Sequence, residues 1–89
     1  MTPSNSKAHM DDIDIRMRIG LRIKQLRAHA NLTQDRLAYS IDLSRSYLAE
    51  IETGKRNVSM VNVERICNGL GVSLEEFFSG ELFSHVSDR

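Results

Sequence analysis

The sequence predicts an all-α protein, a compact bundle of five helices. Apolar residues recur at three- and four-residue intervals in successive segments, and no segment shows the alternation typical of a half-buried strand. Ser, Thr or Asp precedes each segment, and Gly or Asn follows most of them, as at helix ends. The 89 residues contain no internal repeat and are enough for one small domain. A core of this size gives only marginal stability, so a stabilising contribution from dimerisation would be unsurprising.

The first helix is predicted over residues 14–30. Its apolar residues lie at helical spacing: Ile15, Ile19, Ile23, Leu26 and Ala30. Asp11, Asp12 and Asp14 stand at its N-terminus, where negative charge is stabilised by the helix dipole, and Asn31 is a suitable C-cap. Residues 1–10 are polar and aperiodic, so we expect a disordered tail there and a folded domain over residues 11–80.

Residues 32–54 predict two short helices joined by a tight turn. Thr33 and Ser44 are good N-caps, and Gly54 is placed as the residue that follows the second helix. Apolar residues line one side of each helix: Leu37, Ala38, Ile41, Leu43, Leu48 and Ile51. Helices of seven or eight residues are not stable alone in water, so both require a surrounding bundle. This is the plan of a helix-turn-helix, in which the second helix enters a DNA major groove.

Two further helices are predicted after the basic loop at positions 55–58. Ser59 caps the fourth, whose inward face is expected to carry Met60, Val63, Ile66, Cys67 and Leu70, and Gly71 ends it. Ser73 and Glu76 form a capping box for the fifth, at residues 74–78. Residues 81–89 have no clear period and are expected to be a tail that contributes to a dimer interface.

The charge distribution indicates contact with phosphate on one side of the protein. Formal net charge is zero, with 12 basic and 12 acidic residues, but residues 16–65 hold ten Lys and Arg against five acids. The lone Cys excludes an intramolecular disulfide, and the three His residues are too scattered to form a metal site with it. No nucleophile–base pair or phosphate-binding glycine loop is present, so we expect no enzyme and no cofactor. Without a signal peptide or an apolar run long enough for a membrane, we expect a cytoplasmic protein.

The second helix of the central pair has two distinct faces. At about 100° per residue, Leu48, Ile51 and Glu52 share the inward side. The outward side carries Ser46, Ala49, Glu50 and Thr53, flanked by Arg45 and Tyr47. A face with small residues and a leading Arg fits a groove about 12 Å wide, although a solvated helix of an ordinary bundle would look similar.

The run TQDRLAYSIDLSRSYLAEIETGKRNVS, followed by VERICNGLGVSLEEFF, resembles the phage-repressor-like (Xre, or lambda-repressor-like) helix-turn-helix family. Through SRSYLAEIE and GKRN it is most similar to the short controller proteins of restriction-modification systems. The resemblance covers residues 19–78. It departs from the family at the turn, where Asp42 stands in place of the usual Gly; Asp is one of the few residues that tolerate a positive φ.

The resemblance implies roles for individual residues. Arg45 and Ser46 are implied in base readout, and Arg forms a bidentate contact with guanine worth about 1–3 kcal/mol of discrimination. Tyr47 either reaches DNA or covers the core. Glu50 either accepts a hydrogen bond from cytosine N4 or repels phosphates and so disfavours wrong sites. The resemblance implies that Gln34 braces against a phosphate and against the second helix of the central pair, the recognition helix. By their position at the end of that helix, Thr53, Lys55, Arg56 and Asn57 are expected to contact phosphates, and Arg22 and Arg36 are expected to extend the basic track. An internal salt bridge between Arg27 and Glu52 is also implied.

The function expected from these features is sequence-specific transcriptional regulation by a homodimer on a palindromic operator, as in an autoregulatory controller of a restriction-modification system. The dimer interface is expected from apolar side chains crowded near the C-terminus: Leu74, Phe78, Leu82 and Phe83. Alternatively, Phe78 and Leu82 fold back over their own bundle. Asp35 is a candidate contact with RNA polymerase. The rival function is an antitoxin or another protein-interaction module of the same fold.

Overall fold

The computed structural model describes residues 14–84, which form six α-helices and no strand. Their bounds are α1 Ile15–Ala30, α2 Gln34–Ser40, α3 Arg45–Glu52, α4 Met60–Leu70, α5 Leu74–Phe77 and α6 Glu81–Ser84. The all-α fold class is confirmed, with one helix more than the five predicted. The expected disordered tail at residues 1–10 and the last five positions of the C-terminal tail lie outside the described residues.

The helices begin at the residues that the sequence predicts. Asp14, Thr33, Ser44, Ser59 and Ser73 are the N-caps of α1 to α5, and each accepts a hydrogen bond from a backbone N–H two or three residues later. A residue with positive φ follows each of the helices α1 to α5 within three positions. At the turn between α2 and α3 this residue is Asp42, at 60°, and the Leu43 N–H donates to the Ala38 carbonyl at 3.0 Å. Asp42 therefore takes the conformation that the family's Gly would take.

The core lies between α1, α2, α3 and α4. Its fully buried side chains include Ile23, Leu37, Leu48, Ile66 and Phe77. Cys67 is also buried, and this burial raises the pKa of its thiol, as expected for a structural cysteine. The fourth helix differs from the prediction in one respect, because Met60 is 57% exposed at its first position.

Helix α1 crosses the end of α3 at a glycine. A Cβ atom on Gly20 would lie 2.5 Å from the Glu52 carbonyl oxygen and 2.6 Å from that of Ile51. These distances are well below van der Waals contact, so only glycine allows the two backbones to approach this closely. The crossing holds the C-terminal end of α3 against α1.

The C-terminal segment folds back onto its own chain through α6. Leu82 is buried, and the ring of Phe78 lies 4.9 Å from those of both Phe77 and Phe83. Arg18 donates to the Leu82 carbonyl at 3.2 Å. The expectation that Leu82 belongs to an exposed patch is therefore wrong for the single chain, because contacts with α1 order a segment whose sequence shows no helical period. The partly buried Leu74, Phe78 and Phe83 stay predicted interface residues.

Among residues 14–84, no helix has both the length and the apolar composition needed to cross a lipid bilayer. In the same range, His, Cys, Asp and Glu side chains form no group of three that would hold a metal ion.

Candidate nucleic-acid interface

Helix α3 divides its side chains between the core and solvent. Leu48, Ile51 and Glu52 are buried, at 0%, 1% and 2% exposure. Arg45, Ser46, Glu50 and Thr53 are exposed, and Ala49 is half-buried between them. The division follows the 100° rotation per residue, and it leaves an outward face of polar and small side chains.

A buried ion pair fixes the orientation of α3. Arg27 Nε donates to Glu52 Oε2 at 2.7 Å, and Arg27 Nη2 donates to Glu52 Oε1 at 2.8 Å. Gln34 Nε2 donates to the same Oε1 at 2.8 Å. Hydrogen bonding to Glu52 raises the pKa of the Arg27 guanidinium above its ordinary value. Three donors thus satisfy a carboxylate that would otherwise be costly to bury, and they join α1, α2 and α3.

The remaining guanidinium nitrogen of Arg27 adds a fourth connection. Its Nη1 donates to the Leu32 carbonyl at 2.9 Å, in the turn between α1 and α2. The ion pair that the resemblance implies is thus present in the structure, as is the contact of Gln34 with the recognition helix. One of the two amide N–H groups of Gln34 is used by Glu52, and the side chain is half-buried.

At the N-terminal end of α3, Arg45 pairs with a residue of the preceding helix. Arg45 Nε lies 2.9 Å from Asp35 Oδ1, and both side chains are about two-thirds exposed. The exposed Ser46 follows directly. This end of the outward face therefore carries a cation that is held by an exposed, weak ion pair.

The side chain of Tyr47 covers the core and supports the loop after α3. Its ring is half-buried against the core, and its hydroxyl accepts a hydrogen bond from Asn62 Nδ2 at 3.1 Å. The Arg56 guanidinium lies 5.0 Å from the ring centroid. The ring of Tyr47 thus packs against the core in the single chain, and a contact of Tyr47 with DNA stays a prediction.

Arg56 also reaches the middle of the outward face. Its Nε donates to Glu50 Oε1 at 2.9 Å, and the two side chains are about half exposed. Arg56, which the sequence predicts as a phosphate contact, thus packs on α3 against both Tyr47 and Glu50.

The other candidate phosphate contacts fall into two groups. Arg36 on α2 and Lys55 and Asn57 in the loop after α3 are exposed. The Thr53 hydroxyl instead points back at the Ala49 and Glu50 carbonyls, at 3.2 and 3.1 Å. Its donor is used within its own helix end.

Arg22 does not extend the basic track as expected. Its Nε donates to the Phe77 carbonyl at 2.7 Å, and its Nη2 donates to that of Glu76 at 2.8 Å. It therefore stabilises the end of α5, where unpaired carbonyls attract a cation.

Sequence reasoning missed three supporting residues. Asn62 holds the Tyr47 hydroxyl, while Arg18 and Arg22 hold the C-terminal segment. The available signal for the two arginines was their position one turn apart on α1, close to the apolar face.

A short helix presented outward by a turn, with its inner side tied to two neighbouring helices, defines a helix-turn-helix protein. The chain belongs to the helix-turn-helix domain family, whose sequence profile matches residues 18–77. It is 51% identical over 67 residues to the control protein C.MunI of a Mycoplasma species, a match that covers 74% of this chain and 90% of that protein.

Solved structures of controller proteins share the fold. The restriction-modification controller protein C.AhdI of Aeromonas hydrophila superposes with a TM-score of 0.69 at 36% identity, over 72% of this chain and 97% of that one. The controller protein C.Esp1396I, solved as a tetramer in complex with its natural 35-base-pair operator, gives 0.70 at 34% identity, over 75% and 88%.

Proposed function

We propose that this chain is a cytoplasmic, non-enzymatic transcriptional regulator that binds DNA sequence-specifically as a homodimer on a palindromic operator. The observation that carries this proposal is the outward face of α3. Its exposed polar side chains stand on a helix whose orientation is fixed by the Arg27–Glu52–Gln34 network. A preorganised helix of this kind reads base edges in the major groove.

The similarity to controller proteins supports a more specific role. C.Esp1396I is described in complex with its operator, and the C.MunI relative shares half of its aligned residues with this chain. We therefore place this chain as an autoregulatory controller of a restriction-modification system, with RNA polymerase as a further partner through the exposed Asp35.

Within this proposal, the exposed residues take two kinds of role. Arg45 and Ser46 contact base edges, after Arg45 leaves Asp35. Lys55, Asn57 and Arg36 contact phosphates and set the register of the helix in the groove. Two protomers related by a two-fold axis place their α3 helices in half-sites about one helical turn apart.

The proposal is tested by comparing two substitutions on two duplexes. One duplex carries the region upstream of the protein's own gene, and the other is a scrambled sequence of the same length and composition. We expect Arg45→Ala to weaken binding to the first duplex by about tenfold or more and to affect the second little, because it removes a base contact. Lys55→Ala should weaken binding to both duplexes alike and flatten the salt slope by about one unit. Quantitative gel shifts at several salt concentrations measure both effects.

Two outcomes would contradict the proposal. If the unaltered protein does not distinguish its upstream DNA, or any sequence selected from a random pool, from the scrambled duplex, it is not a sequence-specific regulator. A protein-interaction module such as an antitoxin would then be the better reading. If both substitutions reduce specificity equally, the protein binds DNA but the base-reading and phosphate-binding faces have been assigned wrongly.

A further inference from the structure

The Glu50–Arg56 ion pair lies across the surface that the proposed function turns toward DNA. Glu50 stands in the middle of the outward face of α3, and Arg56 belongs to the loop that follows the helix. The 2.9 Å contact from Arg56 Nε to Glu50 Oε1 joins these two elements, and the Tyr47 ring lies under the guanidinium at 5.0 Å. Arg56, whose charge could bind a DNA phosphate, is thus paired with Glu50, whose carboxylate could contact DNA only at a base.

The chemistry of the two groups limits what each can contact. A carboxylate only accepts hydrogen bonds, and in the major groove the amino groups that donate are cytosine N4 and adenine N6. A guanidinium only donates, and the phosphate oxygens are its natural partners on DNA. The pair is about half exposed, so it contributes little stability and is easily exchanged for other partners.

We propose that Glu50 couples base readout to phosphate binding by controlling Arg56. On DNA without a suitable base, Arg56 stays on Glu50 and its charge is unavailable to phosphate. On the operator, a base amino group donates a hydrogen bond to the Glu50 carboxylate. Arg56 then leaves Tyr47 and Glu50 and binds a neighbouring phosphate. One correct base pair therefore adds two contacts. This inference rests on the proposed function, because it requires that α3 enters the major groove.

The base that Glu50 reads is identified by selecting binding duplexes from a random pool with the unaltered protein and with Glu50→Ala, since a glutamine at this position could itself bind adenine. We expect one cytosine or adenine position in each half-site to be enriched with the unaltered protein and to become degenerate with Glu50→Ala. Glu75→Ala is the matched control, since it removes the same charge from an exposed residue of α5 and should leave the selected sequence unchanged.

The coupling is then measured by the salt dependence of affinity. Replacing the selected base pair in one half-site should weaken binding by the unaltered protein and should also reduce the slope of log affinity against log salt by about 0.9, the value for one phosphate contact on duplex DNA. A base contact alone would leave that slope unchanged. With Glu50→Ala the slope should be the same on both duplexes, and affinity for a scrambled duplex should rise by about two- to fivefold as Arg56 is released.

Arg56→Gln separates base readout from phosphate binding. This variant should keep the base preference, but its slope of log affinity against log salt should no longer depend on whether the selected base pair is present. A slope that does not depend on the selected base in the unaltered protein, or a base preference that survives Glu50→Ala, would overturn this inference alone. If the unaltered protein enriches no sequence at all, the proposed function itself fails.

Discussion

Glu52 is the residue on which the geometry of the recognition helix most depends. Its carboxylate is buried, and both of its oxygens accept hydrogen bonds from Arg27. Gln34 adds a further donor to one of them. Burying this charge in a small core is compatible with folding only because all these donors are present, and the same donors orient α3 relative to α1 and α2.

Glu52→Gln is expected to lower the free energy of unfolding by about 3 kcal/mol, because the Arg27 guanidinium loses its charged partner while it stays largely buried. Glu50→Gln is the matched control. It makes the same chemical change two residues earlier but removes only a half-exposed ion pair, so its effect should stay within about 1 kcal/mol. Urea denaturation of the two variants measures the difference. A larger loss for Glu50→Gln would show that the buried pair does not stabilise the fold.

At the scale of the helices, the close crossing of α1 over the end of α3 determines how far α3 projects from the protein. Gly20 permits this crossing because its missing Cβ leaves room for the Ile51 and Glu52 carbonyls. Gly69 plays a comparable part on α4, where a Cβ would meet Ile41 and Leu37 side chains instead of backbone.

Gly20→Ala is expected to destabilise the protein by about 1–2 kcal/mol. Alanine favours the helix by about 1 kcal/mol, but overpacking costs about 1–3 kcal/mol, and the upper part of that range applies because the added Cβ meets backbone atoms that have to move. Displacement of α3 should also weaken binding to the proposed operator. Gly69→Ala is the comparison, since it crowds the core without touching α3 and should change stability but not DNA affinity. Thermal unfolding and gel shifts give the two readings, and a neutral or stabilised Gly20→Ala protein would disprove the argument.

The sequence predicted the longer helices well, because their caps and apolar spacing are local signals. Ser44, Ser59 and Asp42 have the conformations expected of them. Helix α6 was missed because four residues are too few to show a period, and its order comes from contacts such as that of Arg18 with the Leu82 carbonyl. The inner and outer faces of α3 followed from helix geometry.

The partners of exposed charges on the candidate site were not predictable from spacing alone. Arg56 lies six residues after Glu50, across a helix end, so their contact depends on the path of the loop. The same holds for Arg45 and Asp35, which belong to different helices. The base-reading and phosphate-binding roles of these residues stay predictions.

At the scale of the whole molecule, the C-terminal segment has a structural role within the protomer. Leu82 is buried, and Phe77, Phe78 and Phe83 pack edge-to-face or stacked against one another. Because a small domain has a limited core, each such contact contributes a larger share of its total stability. Phe78 and Phe83 are only partly buried and stay predicted residues of the proposed dimer interface, while Leu82 is buried within the single chain.

Leu82→Ala is therefore expected to lower the free energy of unfolding by about 2 kcal/mol, the low end for a buried leucine, at every protein concentration. Phe78→Ala, which removes a half-buried ring in the predicted interface, should lower the melting temperature more at high concentration than at low, because association stabilises by mass action. Thermal scans over a dilution series, together with sedimentation equilibrium, separate the two effects. A concentration-dependent effect for Leu82→Ala would place it at the interface after all.

The division of α3 into a buried side and an exposed side has a consequence for how such proteins diversify. Positions 48, 51 and 52 are constrained by the core and the ion pair, whereas on the outer side Ser46 is exposed and Ala49 is a small, half-buried residue. Exposed substitutions of this kind usually change stability by less than about 0.5 kcal/mol. Where these side chains read DNA as we propose, mutation can alter the preferred sequence without first having to compensate for lost stability. One scaffold can then give rise to many regulators, each of which binds its own operator and not those of the others.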